Sequence, residues 1–159
     1  CEFGQWQEWR EQHSLDWHLL EQPEHRALLD LNRDLNHLYL ENPVLHAGDT
    51  DPAGFAWIDL HNGDQSVFAF MRRSPLHPDK PPLLCVFNCT PVPREAYWLG
   101  VPEAGTYRKV LDSDAARFGG SGFNQQERVV TQLAPCQGYP CHIRLDLPPL
   151  GALFFELAD

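Results

Sequence analysis

The sequence predicts a mainly β protein in which one amphipathic helix precedes an antiparallel β-sandwich. After residue 54, about eight short runs rich in aromatic and β-branched residues alternate with clusters of Gly, Pro, Asn and Asp. No helical pattern lies between these runs, so a parallel sheet with helical connections is not expected. Short strands separated by regular turns are typical of antiparallel sandwiches and barrels. We therefore expect an antiparallel β-sandwich, which the single helix precedes in the chain.

The helix is predicted over residues 24–42. Pro23 and Glu24 begin it, because proline suits the first turn and an acidic side chain favours the positive end of the helix dipole. Asn42 ends it, because the residue before Pro43 avoids helical backbone angles. Apolar side chains recur between these ends with helical spacing, at Leu28, Leu31, Leu35 and Leu38.

The strongest turn signal separates the first two strand candidates, 55–60 and 66–72. Asn62-Gly63 lies between them, and this pair favours the left-handed conformations of a tight hairpin turn. We therefore expect the two strands to pair as an antiparallel hairpin. The other strand candidates are 83–88, 96–99, 106–111, 128–133, 142–147 and 152–157.

In three segments the residue pattern predicts whether the segment is buried, exposed to solvent or mobile. Residues 142–147 alternate between apolar and polar side chains, which predicts one buried and one solvent-facing side. Phe154 and Phe155 lie in a nearly continuous apolar run, which is typical of a central strand. Residues 118–124 are rich in glycine and serine, so we expect a long mobile loop there.

The composition argues against several classes of partner. The 159 residues carry a formal net charge of -10, and the 12 lysines and arginines are scattered along the chain. Without a basic patch we expect no nucleic-acid partner and no membrane partner. No apolar run approaches the roughly 18 residues that a bilayer span needs. We expect a cytoplasmic protein of one domain, or of one domain with an appendage.

The five cysteines are interpreted as thiols of a reducing compartment. Cys85 and Cys89 lie in an apolar run, and we expect both to point into a core. Together with Cys136 and Cys141, their spacings leave a zinc site open as an alternative. A disulfide between Cys136 and Cys141 is a further alternative if the chain is exported. We expect neither a metal nor a cofactor.

The predicted sandwich contains no recognisable catalytic motif. It lacks the sequence of a nucleophile elbow and that of a phosphate-binding loop. We interpret His61, His77 and His142 as exposed surface histidines, since they lie in turns or at a strand start. Acidic residues such as Asp112 and Asp114 are interpreted as a solvated face, because nothing in the sequence selects two carboxyl groups across one pocket.

The lead-in, residues 1–22, differs from the rest of the chain. It has three of the five tryptophans and no helical or strand period. Tryptophan rings can stack on flat apolar surfaces such as sugar rings. These rings either form a platform for a ligand or pack on the helix or on other structure. The candidate substrate-binding residues are Gln5, Trp6, Trp9, Arg10 and Trp17.

Six stretches of the chain resemble a known family. They are EFGQWQEW (2–9), SLDWHLL (14–20), LNRDLNHLY (31–39), DPAGFAWID (51–59), FNCTPVPR (87–94) and LDLPPLGALFFEL (145–157). In these stretches the chain resembles the C-terminal region of bacterial 1,4-α-glucan (glycogen) branching enzymes, which belong to the α-amylase superfamily. The resemblance extends over essentially the whole chain, although 112–141 matches loosely and Cys1 and Cys89 depart from the pattern.

The resemblance implies a division of the chain into two parts. Residues 1–45 would be the remnant of a truncated catalytic (β/α)8 barrel, comprising the end of its last strand, a loop and its last helix. Residues 46–159 would be the C-terminal all-β domain that follows the barrel. A helix that has lost its barrel would expose an apolar patch, so we expect this segment to be disordered, to pack loosely on the sandwich, or to be buried in a dimer contact.

The resemblance also implies an activity for the full-length protein. Branching enzymes cut an α-1,4 glucan and transfer the released chain to a 6-hydroxyl, in a retaining reaction that uses two carboxylates. Both carboxylates come from earlier barrel strands and have no counterpart here. We therefore expect no catalytic residue in this chain and no activity from it alone. The implied partners are α-glucan and the protein's own barrel in cis.

The sequence is also compatible with two other functions. The chain could be a stand-alone α-glucan-binding sandwich that uses Trp6, Trp9, Trp57 or Trp98. It could also be a lipoprotein whose mature N-terminus is Cys1.

Overall fold

The computed structural model of the protein describes residues 2–158, so Cys1, on which the lipoprotein alternative depends, lies outside the described residues. Residues 2–158 form one α-helix, α1, and eight strands. The predicted mainly β, antiparallel fold is confirmed. The bounds are α1 Pro23–Glu41, β1 Phe55–Asp59, β2 Val67–Arg72, β3 Leu83–Asn88, β4 Arg94–Val101, β5 Thr106–Asp112, β6 Arg128–Val130, β7 Cys141–Leu147 and β8 Gly151–Leu157.

The strands form two antiparallel sheets that pack face to face. The larger sheet has six strands in the order β1-β2-β3-β8-β5-β6, and the smaller sheet pairs β4 with β7. The strand with Phe154 and Phe155 lies between β3 and β5, so its prediction as a central strand is confirmed. Side chains from the inner faces of both sheets form one core, for example Val86, Leu99, Ile143, Leu145, Leu153 and Phe155.

Strand β3 is buried on both of its faces. Leu84 and Val86 point into the core between the sheets, while Leu83 and Cys85 contact Val44 on the outer side. Val44 is fully buried and belongs to the short 3₁₀ helix Pro43–Leu45. This 3₁₀ helix connects α1 to the sandwich. The sequence of β3 is apolar without interruption because other residues pack on both of its faces. Each fully buried aliphatic side chain stabilises the fold by about 1.5–3 kcal/mol.

The first hairpin forms as predicted, but its turn differs from the prediction. Strands β1 and β2 pair antiparallel, and a register shift between Trp57 and Asp59 ends β1 early. The backbone N–H of Ser66 donates to the carbonyl of Gly63 at 3.1 Å, and Ser66 has the left-handed φ of 49°. Because the strand ends at Asp59, the connection is a wider loop rather than a tight turn at Asn62-Gly63.

The segment 118–124 forms a loop after the short 3₁₀ helix Ala116–Phe118, as predicted, and one carboxylate accepts several of its hydrogen bonds. The carboxylate of Asp114 accepts from the backbone N–H of Ser121 at 2.9 Å, from the Ser121 hydroxyl, and from the N–H of Phe123 at 3.2 Å. At the end of the segment, the buried amide of Asn124 donates to the carbonyl of Asp146 at 2.8 Å. One carboxylate thus takes up donors that a glycine-rich segment would otherwise leave to water.

Asp112 is also not part of a solvated face. It is only 5% exposed, and its carboxylate accepts from the N–H of Asp114 at 2.8 Å. Burial raises the pKa of Asp112, and the ammonium of Lys109, 3.7 Å away, opposes that change. The sequence did not indicate this burial, because the acidic residues at the end of β5 do not reveal which groups surround them.

Helix α1 begins and ends within one residue of its predicted bounds but is not buried by the sandwich. None of its 19 residues, all of which the structure describes, is buried. Leu40 and Tyr39 are 70% and 47% exposed. A cavity of about 460 Å³ separates the C-terminal part of the helix from the outer faces of β5 and β8. None of the described helices has the length and apolarity to cross a bilayer.

We predict that Asp114→Ala destabilises the protein by about 2–3 kcal/mol, because three donors lose a charged acceptor. Urea unfolding at neutral pH measures the change in the free energy of unfolding. Asp64→Ala is the matched control, since Asp64 is an exposed loop carboxylate, and we expect a change of about 0.5 kcal/mol or less. Equal effects of the two substitutions would show that the carboxylate of Asp114 does not hold the loop.

Candidate functional site

The five predicted substrate-binding residues lie in the lead-in, in front of α1. Trp6 and Trp9 are 75% and 73% exposed, and Trp17 is 56% exposed. Arg10 is also exposed, while Gln5 is partly buried. Two large indole rings therefore stand in solvent beside hydrogen-bonding side chains, which is an arrangement that can stack on a sugar ring.

Backbone and ring contacts fix the lead-in to α1. The ring of Trp17 stacks on that of the buried Phe3, with centroids 5.4 Å apart and an interplanar angle of 25°. The Phe3 carbonyl lies 2.8 Å from Nδ1 of His25 on α1. Gly4 follows with a φ of +68°, and a Cβ there would lie 3.0 Å from the side chain of Leu28. The chain can pass this close to the helix because residue 4 has no side chain.

The five candidates do not contribute equally to this surface. The amide of Gln5 is used within the lead-in, since it accepts from the N–H of Asp16 at 3.4 Å and donates to the carbonyl of Gln7 at 2.8 Å. Trp6 meets His25 edge-on, with centroids 5.7 Å apart. One face of Trp17 is covered by Phe3, as described above. Trp9 is therefore the exposed tryptophan of the lead-in whose ring stacks on no other aromatic ring of the described residues.

Several carboxylates of the sandwich form hydrogen bonds or ion pairs with neighbouring side chains. Asp59 accepts from the hydroxyl of Tyr97 and from the amide of Gln137 at 3.0 Å. Burial, and in second place this bond to Asp59, raise the pKa of Tyr97. Glu156 forms an ion pair with Arg108. These groups connect neighbouring strands and loops, and they do not form a pair of carboxylates facing each other across one pocket.

The four described cysteines are free thiols in different surroundings. Cys85 is buried as predicted. Cys89 is exposed, contrary to the prediction, because β3 ends at Asn88 and Cys89 lies in the following turn. Cys136 and Cys141 are not joined in a disulfide. Among the described residues, no group of three His, Cys, Asp or Glu side chains is placed to hold a metal ion.

His142 is buried, so its interpretation as a surface histidine is wrong. It is 1% exposed, its ring stacks on Trp98 with centroids 4.5 Å apart, and its Nδ1 lies 2.9 Å from the carbonyl of Ala134. The segment that covers it approaches β4 closely, since a Cβ at Gly100 would lie 2.4 Å from the carbonyl oxygen of Cys136. Gly100 pairs with His142 across strands β4 and β7. This glycine was the sequence feature that could have indicated a segment covering His142.

A cluster of aromatic side chains that the sequence pattern did not reveal lies on the outer face of the six-stranded sheet. Along β1 and β2 these side chains alternate with the core residues. In β2, Val67, Ala69 and Met71 are buried inside, while the intervening phenylalanines point outward and are only partly covered. We call this cluster the aromatic row. It consists of Phe55, Trp57, Phe68, Phe70, Phe87 and Phe154.

A groove continues the aromatic row beyond Trp57. It has a volume of about 380 Å³ and is lined mainly by apolar side chains, including Trp57, Leu60 and Phe68. The exposed Cys89 lies in its wall. Trp57 is 46% exposed, whereas Trp98 on the opposite sheet, at 47%, is flanked by His142 and by the guanidinium of Arg144 at 5.1 Å.

Comparison with known proteins identifies similar sequences over nearly the whole chain. The family described as "Alpha amylase, C-terminal all-beta domain" matches residues 57–158. The 1,4-alpha-glucan branching enzyme GlgB of Thiobacillus denitrificans is 46% identical over 155 residues, which are 98% of this chain and 21% of that protein. The protein of the same name from Pseudomonas aeruginosa is 45% identical over 99% of this chain and 21% of its own length. The chain thus spans about a fifth of these relatives.

Solved structures share the fold. The alpha-amylase from H. orenii matches 87% of this chain and 22% of its own, with a TM-score of 0.51 and 20% sequence identity. The MUTB F164L mutant, from crystals soaked with trehalulose, matches 89% of this chain and 20% of its own, with a TM-score of 0.50 and 19% identity.

We predict that the thiols differ sharply in alkylation. Burial raises the pKa of Cys85 to about 12, and the thiolate is the reactive form, so Cys85 should stay unmodified by iodoacetamide at pH 8 while Cys89 reacts. Peptide mass spectrometry after timed quenching measures both rates. In urea the two rates should converge, and comparable rates in the folded protein would contradict the burial of Cys85.

Proposed function

The chain belongs to the family of alpha-amylase C-terminal all-β domains, and from this membership we propose that it is the C-terminal region of a glycogen branching enzyme. The whole enzyme would move segments of α-1,4 glucan onto 6-hydroxyls to form α-1,6 branches. The observation that carries the proposal is the identity of 42–46% to 1,4-alpha-glucan branching enzymes over 96–99% of this chain.

We assign residues 1–45 to the catalytic barrel and 46–159 to the C-terminal domain. The family match begins at residue 57, after the helix. The helix supports this division as well, because none of its side chains is buried by the sandwich and its apolar side remains partly exposed. A helix stabilised mainly by tertiary packing needs a partner for such a side. The barrel would be that partner.

The chemistry of the proposed reaction requires groups that this chain does not contribute. A carboxylate attacks the anomeric carbon while a carboxylic acid protonates the departing 4-oxygen, and the covalent glycosyl intermediate forms. A 6-hydroxyl of the acceptor glucan then attacks the same carbon, the ester bond to the first carboxylate breaks and releases that carboxylate, and the second carboxylate takes up the proton of the hydroxyl. We place both carboxylates in the part of the whole protein that precedes residue 1. The sandwich supports the barrel and carries out no bond-making step.

The lead-in would contribute to the substrate surface of the whole enzyme. Loops that follow barrel strands lie on the active-site face of such barrels. Gln5, Trp6, Trp9, Arg10 and Trp17 occupy this position in the proposed assignment. The exposure of Trp6 and Trp9 fits a role in stacking on glucan. The free thiols of the described cysteines fit the reducing cytoplasm, where we place the enzyme.

We predict that the 159-residue chain alone does not branch amylose, because the two carboxylates are absent from it. The assay follows the loss of iodine absorbance of amylose and the appearance of α-1,6 linkages after debranching. The positive control is the longer protein that contains this chain, for which we expect branching. Turnover by the chain alone, or an inactive longer protein, would refute the proposal.

We predict that Trp9→Ala in the longer protein raises the KM for amylose up to about tenfold, which corresponds to the loss of one stacking contact. The substitution should change kcat much less, because Trp9 would bind glucan at a distance from the reacting bond. The matched control is Trp98→Ala, which removes a half-exposed indole whose ring is flanked by His142 and Arg144. If Trp9→Ala leaves KM unchanged, or if both substitutions raise it equally, the lead-in does not bind glucan.

A further inference from the structure

The pair Asn62-Gly63 does not form the turn for which its sequence is suited. A tight hairpin turn needs left-handed φ angles at such a pair. Neither residue has one, and the left-handed φ of the loop between β1 and β2 belongs to Ser66. The backbone conformation therefore does not require a glycine at position 63, and the pair lies in the open part of the loop.

The loop uses the carbonyl groups of this pair but leaves the nitrogen of Gly63 without a partner. The N–H of Ser66 donates to the carbonyl of Gly63 at 3.1 Å, and the N–H of Val67 lies 3.4 Å from the carbonyl of Asn62. Among residues 2–158, no backbone carbonyl accepts from the N–H of Gly63. Gly63 is exposed, and no atom outside its neighbours in the chain lies within 4 Å of the place that a Cβ would occupy. This nitrogen can therefore approach a neighbouring carbonyl carbon.

The side chain of Asn62 supplies that carbon. An asparagine amide carbon, Cγ, lies close to the nitrogen of the following residue, and a bond between them closes a five-membered ring. A side chain on the following residue hinders this approach, and glycine has none. Asn62 is only partly covered, and its Nδ2, the group that leaves on ring closure, donates to Oε1 of Gln65 at 3.0 Å.

We propose that Asn62 is a site of deamidation, at which the protein modifies itself with water as the co-reactant. The nitrogen of Gly63 bonds to Cγ of Asn62, the Cγ–Nδ2 bond breaks, and ammonia leaves with the proton that the N–H gives up. Water then breaks one of the two C–N bonds of the ring. Cleavage at Cγ produces aspartate, and cleavage at the backbone carbonyl carbon produces isoaspartate. This site is independent of glucan transfer and extends beyond the function proposed above.

The modification changes a polar cluster that connects the two sheets. Residue 62 loses its donor, so that an oxygen of its new carboxylate faces Oε1 of Gln65. The hydroxyl of Tyr97 on β4 donates to Asp59 on β1 and also lies near the side-chain amide of Asn62. The modification thus adds a second negative charge close to that of Asp59. Since like charges repel, the contact between the loop and β4 loses stability.

Storage of the 159-residue chain at pH 8 tests the site. Peptide mass spectrometry follows the conversion of amide to carboxylate at Asn62, and enzymatic methylation identifies isoaspartate. Asn36 is the internal control, because it is exposed on α1 and is followed by His37. Helical hydrogen bonds raise the barrier to ring closure there, so we expect conversion on the order of tenfold slower or less. Equal rates at Asn62 and Asn36 would overturn the proposal.

The variant Gly63→Ala tests the attacking group. The φ of Gly63 is not left-handed and the space for a Cβ is open, so the variant should fold like the parent. Protection of the buried Cys85 from iodoacetamide verifies the fold. We expect conversion at Asn62 to slow on the order of tenfold, because the added methyl group raises the barrier. An unchanged rate would show that the nitrogen of residue 63 is not the nucleophile and would overturn the proposal.

A comparison with the unfolded chain tests the contribution of the structure. An open loop offers little protection, so the rate at Asn62 in the folded chain should lie within about threefold of the rate in urea. A folded chain that converts on the order of tenfold more slowly than the unfolded chain would show that the loop shields the pair. That result would overturn the proposal.

The variant Asn62→Asp measures the effect of the modification on stability. We expect it to lower the unfolding midpoint in urea by more than Gln132→Glu, which adds the same charge at an exposed side chain of the sandwich. Equal midpoints for the two variants would refute the predicted disturbance of the cluster at Asp59 and Tyr97.

Discussion

Burial on both faces of β3 and β8 is the constraint on which the rest of the structure depends. These two strands form the middle of the six-stranded sheet, and the smaller sheet covers only their inner side. Their outer side is also apolar, as Leu83, Cys85 and Phe154 show. A sheet with two apolar faces needs a third layer. The 3₁₀ helix at Val44 supplies a small part of that layer, and the aromatic row is the part that it leaves uncovered.

This incomplete third layer links the fold to the proposed function. A domain that worked alone would be expected to cover its outer sheet face or to make it polar. Here α1 stands off the sheet above a cavity, and none of its side chains is buried. In the proposed enzyme, the catalytic barrel would cover the apolar side of α1.

Partly buried carboxylates hold loops of the sandwich in place through hydrogen bonds. Asp59 accepts from Tyr97 and Gln137, and Asp114 accepts from the backbone of 121–123. A partly buried carboxylate that lacked such donors would lose part of its hydration without compensation, so each acceptor helps to determine where its loop lies. The rigid sandwich that results is suited to support a catalytic domain, which is the role proposed for it.

The sequence by itself determined the positions of the elements. Proline at 23 and 43 bounds the helix, and alternation with turn residues located every strand to within a few residues. The sequence could not determine which residues cover each face of a strand. Alternation with a period of two residues distinguishes the two faces, but it does not indicate which other elements pack on them. Only the tertiary structure placed His142 under the segment at Ala134, turned Cys89 outward, and left Phe68 and Phe70 on an open face. These outcomes depend on contacts between residues far apart in the chain, and local sequence patterns do not indicate such contacts.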